Sequence, residues 1–215
     1  MATDATDTPR DPASADARRR YLEGAPRVPE AGLDLSEVFP EGSEIEIEIG
    51  FGRGGFLIER AAAAPRASLL GIERKLKWAF LVAERCQRLG LAQVRALGGD
   101  AQHALPRMRP DACVARVFLH FPDPWWKKRH VKRRILGSDL LEQVLRLLRS
   151  GGELFVQTDV PERFAEYEAL LRGCAAFEVR VLTENPYGAR SNREARAIAD
   201  GLPVYRLVAV KRPRA

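Results

Sequence analysis

Cysteine and histidine are scarce in this chain, and neither is arranged to bind anything. Cys86, Cys113 and Cys174 lie far apart, and His103, His120 and His130 show no ligand spacing. A disulfide framework and a paired-cysteine zinc site are thereby excluded, and no metal is expected. The cysteines read as small apolar residues in a reducing compartment. Long apolar runs are missing too: none approaches the ~20 residues needed to cross a bilayer. The opening MATDATDTPRDPASADARRR has no apolar signal-peptide core. A cytoplasmic address without a membrane partner is expected. No repeats and no exposed apolar seam stand out, so a monomer with no obligate protein partner is expected.

What remains is a globular composition, 46% hydrophobic and 30% charged over 215 residues, enough for one α/β domain. The formal charge of +6 leans only mildly toward a polyanion, because 29 acids offset 35 bases. Residues 1–30 are rich in Ala, Asp, Arg and Pro and predict a disordered or loosely ordered tail, leaving 31–215 as the domain.

From Ser43 the pattern alternates. Ile45, Ile47 and Ile49 interleave with Glu44, Glu46 and Glu48, the mark of a strand with one apolar face. A glycine-rich turn, the helix FLIERAAAA, the strand ASLLGIE and a helix over 74–90 follow. Further strands are predicted near 92–97 and at ACVARVFLHF, then a helix SDLLEQVLRLLRSGG. ELFVQTD, FEVRVLTE and VYRLVAVK read as late strands, with a helix at 161–172. Strands alternating with helices imply an α/β fold whose mostly parallel sheet is covered on both faces, and the last two strands suggest an antiparallel edge.

Gly50, Gly52, Gly54 and Gly55 fall between the first strand and its helix, where backbone can approach a ligand closely and helix N–H groups are free. Gly50, Gly52 and Gly55 match the dinucleotide fingerprint literally, with Glu73 about 20 residues on. Glu48, Glu73 and Asp100 each end a strand, and ligands of open α/β sheets lie outside those ends. Simple helix capping is the alternative role for each. A carboxylate beside the first turn would repel a pyrophosphate, whereas S-adenosylmethionine carries a sulfonium and an amino group and no phosphate. The acids favour the methyl donor over a nicotinamide cofactor.

The most distinctive stretch is LHFPDPWWKKRHVKRR, residues 119–134, with six Lys/Arg in its last eight positions. Together with EIGFGRGG, GIER, GGDA and GGELFVQTD, it resembles the bacterial tRNA (guanine-N7)-methyltransferases over roughly residues 43–211. The resemblance implies a Rossmann-like class I methyltransferase of seven strands, using S-adenosylmethionine to methylate guanine N7 in the tRNA variable loop. It implies a donor site of Glu48, Gly50, Gly52, Glu73, Asp100 and Asp123, with Asp123 also catalytic. Lys127, Asp159, Ser191, Asn192, Arg193 and Glu194 match the substrate contacts. Arg193 departs from the pattern, standing where the family usually carries an aromatic residue.

The chemistry accounts for the mixed character of that stretch. Guanine N7 has a lone pair and no proton, so transfer needs alignment and electrostatics and no general base. A carboxylate such as Asp123 favours the positive charge that develops on the base. Lys128, Arg129, Lys132, Arg133 and Arg134, with Lys127, suit phosphates of a tRNA backbone. Trp125 reads as packing the turn. Three rivals stand beside it at this point: a nicotinamide-dependent oxidoreductase, a non-catalytic RNA-binding protein on a methyltransferase scaffold, and a protein or small-molecule methyltransferase, which the basic block disfavours.

Overall fold

In a computed structural model, which describes residues 12–122 and 135–213, the alternating pattern becomes a seven-stranded sheet between two helical layers. Helix α1 (Pro12–Gly24) precedes a two-residue strand β1 (Leu33–Asp34) and a one-turn helix α2 (Leu35–Val38). Then β2 (Glu44–Ile49), α3 (Gly55–Ala63), β3 (Ala67–Glu73), α4 (Leu76–Arg88) and β4 (Val94–Gly98) alternate. A short α5 (Ala101–Ala104) and the two-residue β5 (Met108–Arg109), which pairs with β1, lead to β6 (Val114–His120). The second half comprises α6 (Ser138–Leu147), β7 (Leu148–Thr158), α7 (Pro161–Arg172), β8 (Phe177–Leu182), α8 (Asn192–Ala199) and β9 (Tyr205–Lys211).

The strand order is β4-β3-β2-β6-β7-β9-β8. Order reverses between β2 and β6, so a crevice opens there at the carboxyl ends. The antiparallel pairing expected at one edge is present: β9 runs against both β7 and β8 and lies between them. Ile47, Ile49, Leu70, Ile72, Val117 and Leu119 form a core with α6 and α7, while Leu69 packs with α3 and α4 on the opposite face. β3 is buried along its whole length, as a parallel strand covered on both sides must be.

Two local expectations differ from the structure. The helix predicted through Gly152 stops at Leu147, because fully buried Leu148 already pairs with Val114 as the start of β7, and Gly151 turns at φ 71°. Within the stretch expected to be a loose tail, residues 12–30 contain α1 and its docking contacts. Tyr21 packs on Phe80 at 5.5 Å, Arg20 pairs with Glu84, and Gly98 N donates to Pro26 O at 2.6 Å. A few apolar side chains on a polar helix were enough to seat it, a signal too sparse to outweigh the composition.

Beyond exposed Glu44, the glutamate face of β2 is not solvated. Glu46 is fully buried; Arg60 donates to both of its oxygens at 2.7 and 2.8 Å, and Arg116 adds a third bond at 2.8 Å. Arg116 also donates to Glu153, which accepts from Tyr187 Oη. Because the partners persist as buried or half-buried cations, Glu46→Ala should cost about 3 kcal/mol, the lower end of the usual loss for breaking a buried pair. Urea denaturation checks this; an unchanged midpoint would show that the arginines simply turn to water.

Candidate active site

Two cavities meet at the switch point. The first, about 390 Å³, is lined by Gly50, Gly52, Glu73, Trp78, Asp100 and Ile135 among others. The second, about 610 Å³, takes in Glu48, Asp159, Ser191, Asn192 and Arg193. Gly50, Gly52, His120, Phe121 and Pro122 line both and form the shared wall.

The glycine loop stands as expected. Gly50 and Gly52 have φ of 75° and 53°, a left-handed path that any side chain would strain. Glu73 clamps this loop: its Oε2 accepts from Gly52 N at 2.9 Å and its Oε1 from Lys75 N at 2.8 Å. Asp100 caps α5, accepting from Gln102 N at 3.0 Å, so capping and cavity lining coexist in one carboxylate. Each of these oxygens retains a lone pair for a ligand hydroxyl.

Glu48 lies apart from that pair of acids. It borders the second cavity, 2% exposed, and its Oε2 has no hydrogen-bond partner among the described residues. Burial, with the nearby charge of Glu73, pushes its carboxyl well above the usual range. His120 Nε2 is 3.9 Å from Glu48 Oε1, too far for a hydrogen bond, and burial lowers the imidazole to about 3. At neutral pH the imidazole is therefore uncharged, and the two groups do not form an ion pair. Phe121, next along, has φ 46°, unusual for a bulky residue and placed at the junction of the cavities.

The first turn of α8 and its cap tie three walls together. Ser191 caps the helix by accepting from Glu194 N; Asn192 Oδ1 accepts from Gly55 N at 3.1 Å. A Cβ on Gly55 would sit 2.7 Å from that Oδ1, so only glycine admits this approach. Arg193 pairs with Asp159. Glu194 turns inward, fully buried, and accepts from Arg206 at 2.9 Å, Asn185 at 3.0 Å and Gln157 at 3.0 Å. Of the residues matched to substrate contacts, Asp159, Ser191, Asn192 and Arg193 border the cavity and Glu194 does not. Asp123 and Lys127, Lys128, Arg129, Lys132, Arg133 and Arg134 lie outside the described residues; flanking Pro122 and Ile135 both line the first cavity. Among the described residues, no cluster of His, Cys, Asp and Glu suits a metal.

The family model Methyltransf_4, described as "Putative methyltransferase", matches residues 43–207. A tRNA (guanine-N(7)-)-methyltransferase of Anaeromyxobacter dehalogenans is 40% identical over 79% of this chain and 87% of its own. One from Sodalis glossinidius is 39% identical over 67% of this chain, which spans only 60% of that longer relative. The chain belongs to the tRNA (guanine-N7-)-methyltransferase family. The crystal structure of the 16S rRNA methyltransferase KamB shares the class I fold at TM-score 0.59, 17% identity, covering 83% of this chain and 93% of that one.

Within this site, sequence reading passed over His120 and Gln157. Both were legible in principle, since each lies at a strand end beside the crevice. His120 also leaves a thermodynamic signature. Unfolded, it titrates near 6.5; folded, near 3. The stabilisation from keeping it neutral is complete above pH 6.5 and lost as pH falls through that window, at about 1.4 kcal/mol per pH unit. Glu48, raised instead, acts oppositely, losing stabilisation as pH rises above 4.5. The difference between native protein and His120→Phe isolates the histidine and should widen toward acid. Parallel denaturation curves from pH 7 to 4 would refute it.

Proposed function

We propose that this chain transfers the methyl group of S-adenosylmethionine to N7 of a guanine in tRNA, forming N7-methylguanosine, and that the target lies in the variable loop. The observation that carries this reading is the pair of cavities sharing one wall at the switch point, in a chain of this family. The first cavity suits the donor. Glu73 and Asp100 offer acceptors to ribose hydroxyls, half-buried Trp78 offers a face to adenine, and Gly50 and Gly52 admit close backbone approach. The donor supplies an electrophilic methyl group; the chain supplies its alignment with the base.

The second cavity suits the base. Asp159, on the exit of β7, offers carboxylate oxygens to the N–H groups of guanine. Its ion pair with Arg193 is half exposed, hence weak and displaceable. Asp123, which follows Pro122 at the shared wall, is assigned the catalytic role: a carboxylate beside the base as it becomes cationic. Lys127, Lys128, Arg129, Lys132, Arg133 and Arg134 are assigned to backbone phosphates. The enzyme is taken to act as a monomer in the cytoplasm.

Unmodified tRNA incubated with labelled donor should acquire label that maps, by cleavage at N7-methylguanine, to one variable-loop site. Label elsewhere overturns the loop assignment, and none at all overturns the activity. Asp123→Ala should lower turnover at least 100-fold while donor binding stays measurable by calorimetry; unchanged turnover would remove Asp123 from the catalytic role. Arg133→Glu with Arg134→Glu should weaken tRNA binding and reduce the slope of log affinity against log salt by about 2. An unaltered slope would remove the block from the phosphate-binding surface.

A further inference from the structure

The wall between the cavities holds a hydrogen-bond donor with no partner among the described residues. His120 ends β6, lines both cavities and is 7% exposed. Its ring stacks in an aromatic cluster, 4.3 Å from Phe56 and 5.8 Å from Phe118 and Phe155. A fourth aromatic ring would pack there equally well, so packing alone does not call for an imidazole.

The polar contacts define which nitrogen carries the proton. Glu194 accepts hydrogen bonds from Arg206, Asn185 and Gln157, so the NH₂ side of the Gln157 carboxamide faces it. The same Nε2 of Gln157 lies 2.7 Å from His120 Nδ1 and spends its second hydrogen there. Nδ1 therefore accepts, and the neutral ring carries its proton on Nε2. That Nε2–H is buried and has no partner among the described residues, with Glu48 Oε1 out of reach at 3.9 Å. Buried donors in native proteins are almost always satisfied, so one left open beside a ligand cavity points to a ligand acceptor.

We propose that His120 is a specificity and positioning residue, donating its Nε2–H to O6 of the target guanine. This rests on the guanine-N7 reading above. O6 and N7 are adjacent acceptors on one edge of guanine. A base held by O6 at the shared wall presents N7 toward the first cavity, where the methyl donor lies. Adenine places an amino group at that point, setting two donors against each other. Glu194 and Gln157 act through His120 by keeping its proton on Nε2.

The test pairs a protein change with a base change. tRNA carrying 2-aminopurine at the target keeps N7 and the 2-amino group and lacks O6. The native enzyme should prefer guanine by kcat/KM about 10- to 100-fold beyond any intrinsic difference in N7 reactivity. His120→Phe should lower kcat/KM on guanine by about that factor and leave 2-aminopurine nearly unchanged. His120→Asn, which retains an N–H donor, should recover part of the preference and carries the comparison if the Phe variant fails to fold. Intrinsic reactivity cancels, because each substrate is compared with itself. Equal loss on both substrates would make His120 a packing residue and overturn the proposal, as would no loss on either. A native enzyme that methylated no guanine would overturn the activity itself, and this assignment with it.

Discussion

Two of the three carboxylates on β2 have nowhere to go but inward. A parallel sheet covered on both faces buries most side chains of its central strands, so Glu46 and Glu48 are shut away with the isoleucine face of EIEIEI, and Glu44 at the strand's start stays exposed. An isolated buried charge costs far more than the fold can spare, and each acid must be matched or neutralised. Glu46 is matched by two arginines from α3 and β6, which ties both elements to the strand. Glu48 has no arginine partner among the described residues, and burial pushes its carboxyl well above the usual range. Two residues along one strand separate a structural clamp from an acid that borders a cavity.

The same logic runs through α8. Its cap and first turn, Ser191 to Glu194, were expected to contact substrate as a group, yet the helical period points them in different directions. Asn192 reaches the glycine-loop helix, Arg193 the carboxylate of Asp159, and Glu194 the buried Gln157. The hydroxyl and carboxylate that this chain shares with its family are the helix cap and the inward anchor. The residue that departs, Arg193, is one that faces the cavity. A change is tolerated where the side chain is half exposed and would not be at Glu194, whose three hydrogen-bond donors would be left buried.

Periodicity and turn chemistry were sufficient for β2, β3, β6 and the glycine loop, because each signal there is local. Alternating Ile and Glu, a glycine cluster and an acid at a strand end need no knowledge of distant residues. What escaped depends on partners far along the chain. The seating of α1 rests on Tyr21 meeting Phe80, and the depth of Glu46 on Arg60 and Arg116. The end of α6 was missed for a related reason: Leu148 continues the helical pattern but is claimed by pairing with Val114. His120 was read for metal spacing, when its meaning comes from Gln157, thirty-seven residues later and one strand over.

The charge layout also suits the proposed transfer. Moving a methyl group from a sulfonium to a base moves one positive charge, and only interactions that strengthen toward the transition state accelerate that step. Burial keeps the His120 imidazole neutral and pushes the Glu48 carboxyl well above its usual range, so the shared wall disfavours fixed charge. In the proposed mechanism the carboxylate that favours the cationic base is Asp123, next in sequence after Pro122 and just before the basic run assigned to phosphates. Burial then does more than position Glu48 and His120: by opposing charge at the wall, it leaves the direction of the field to that acid.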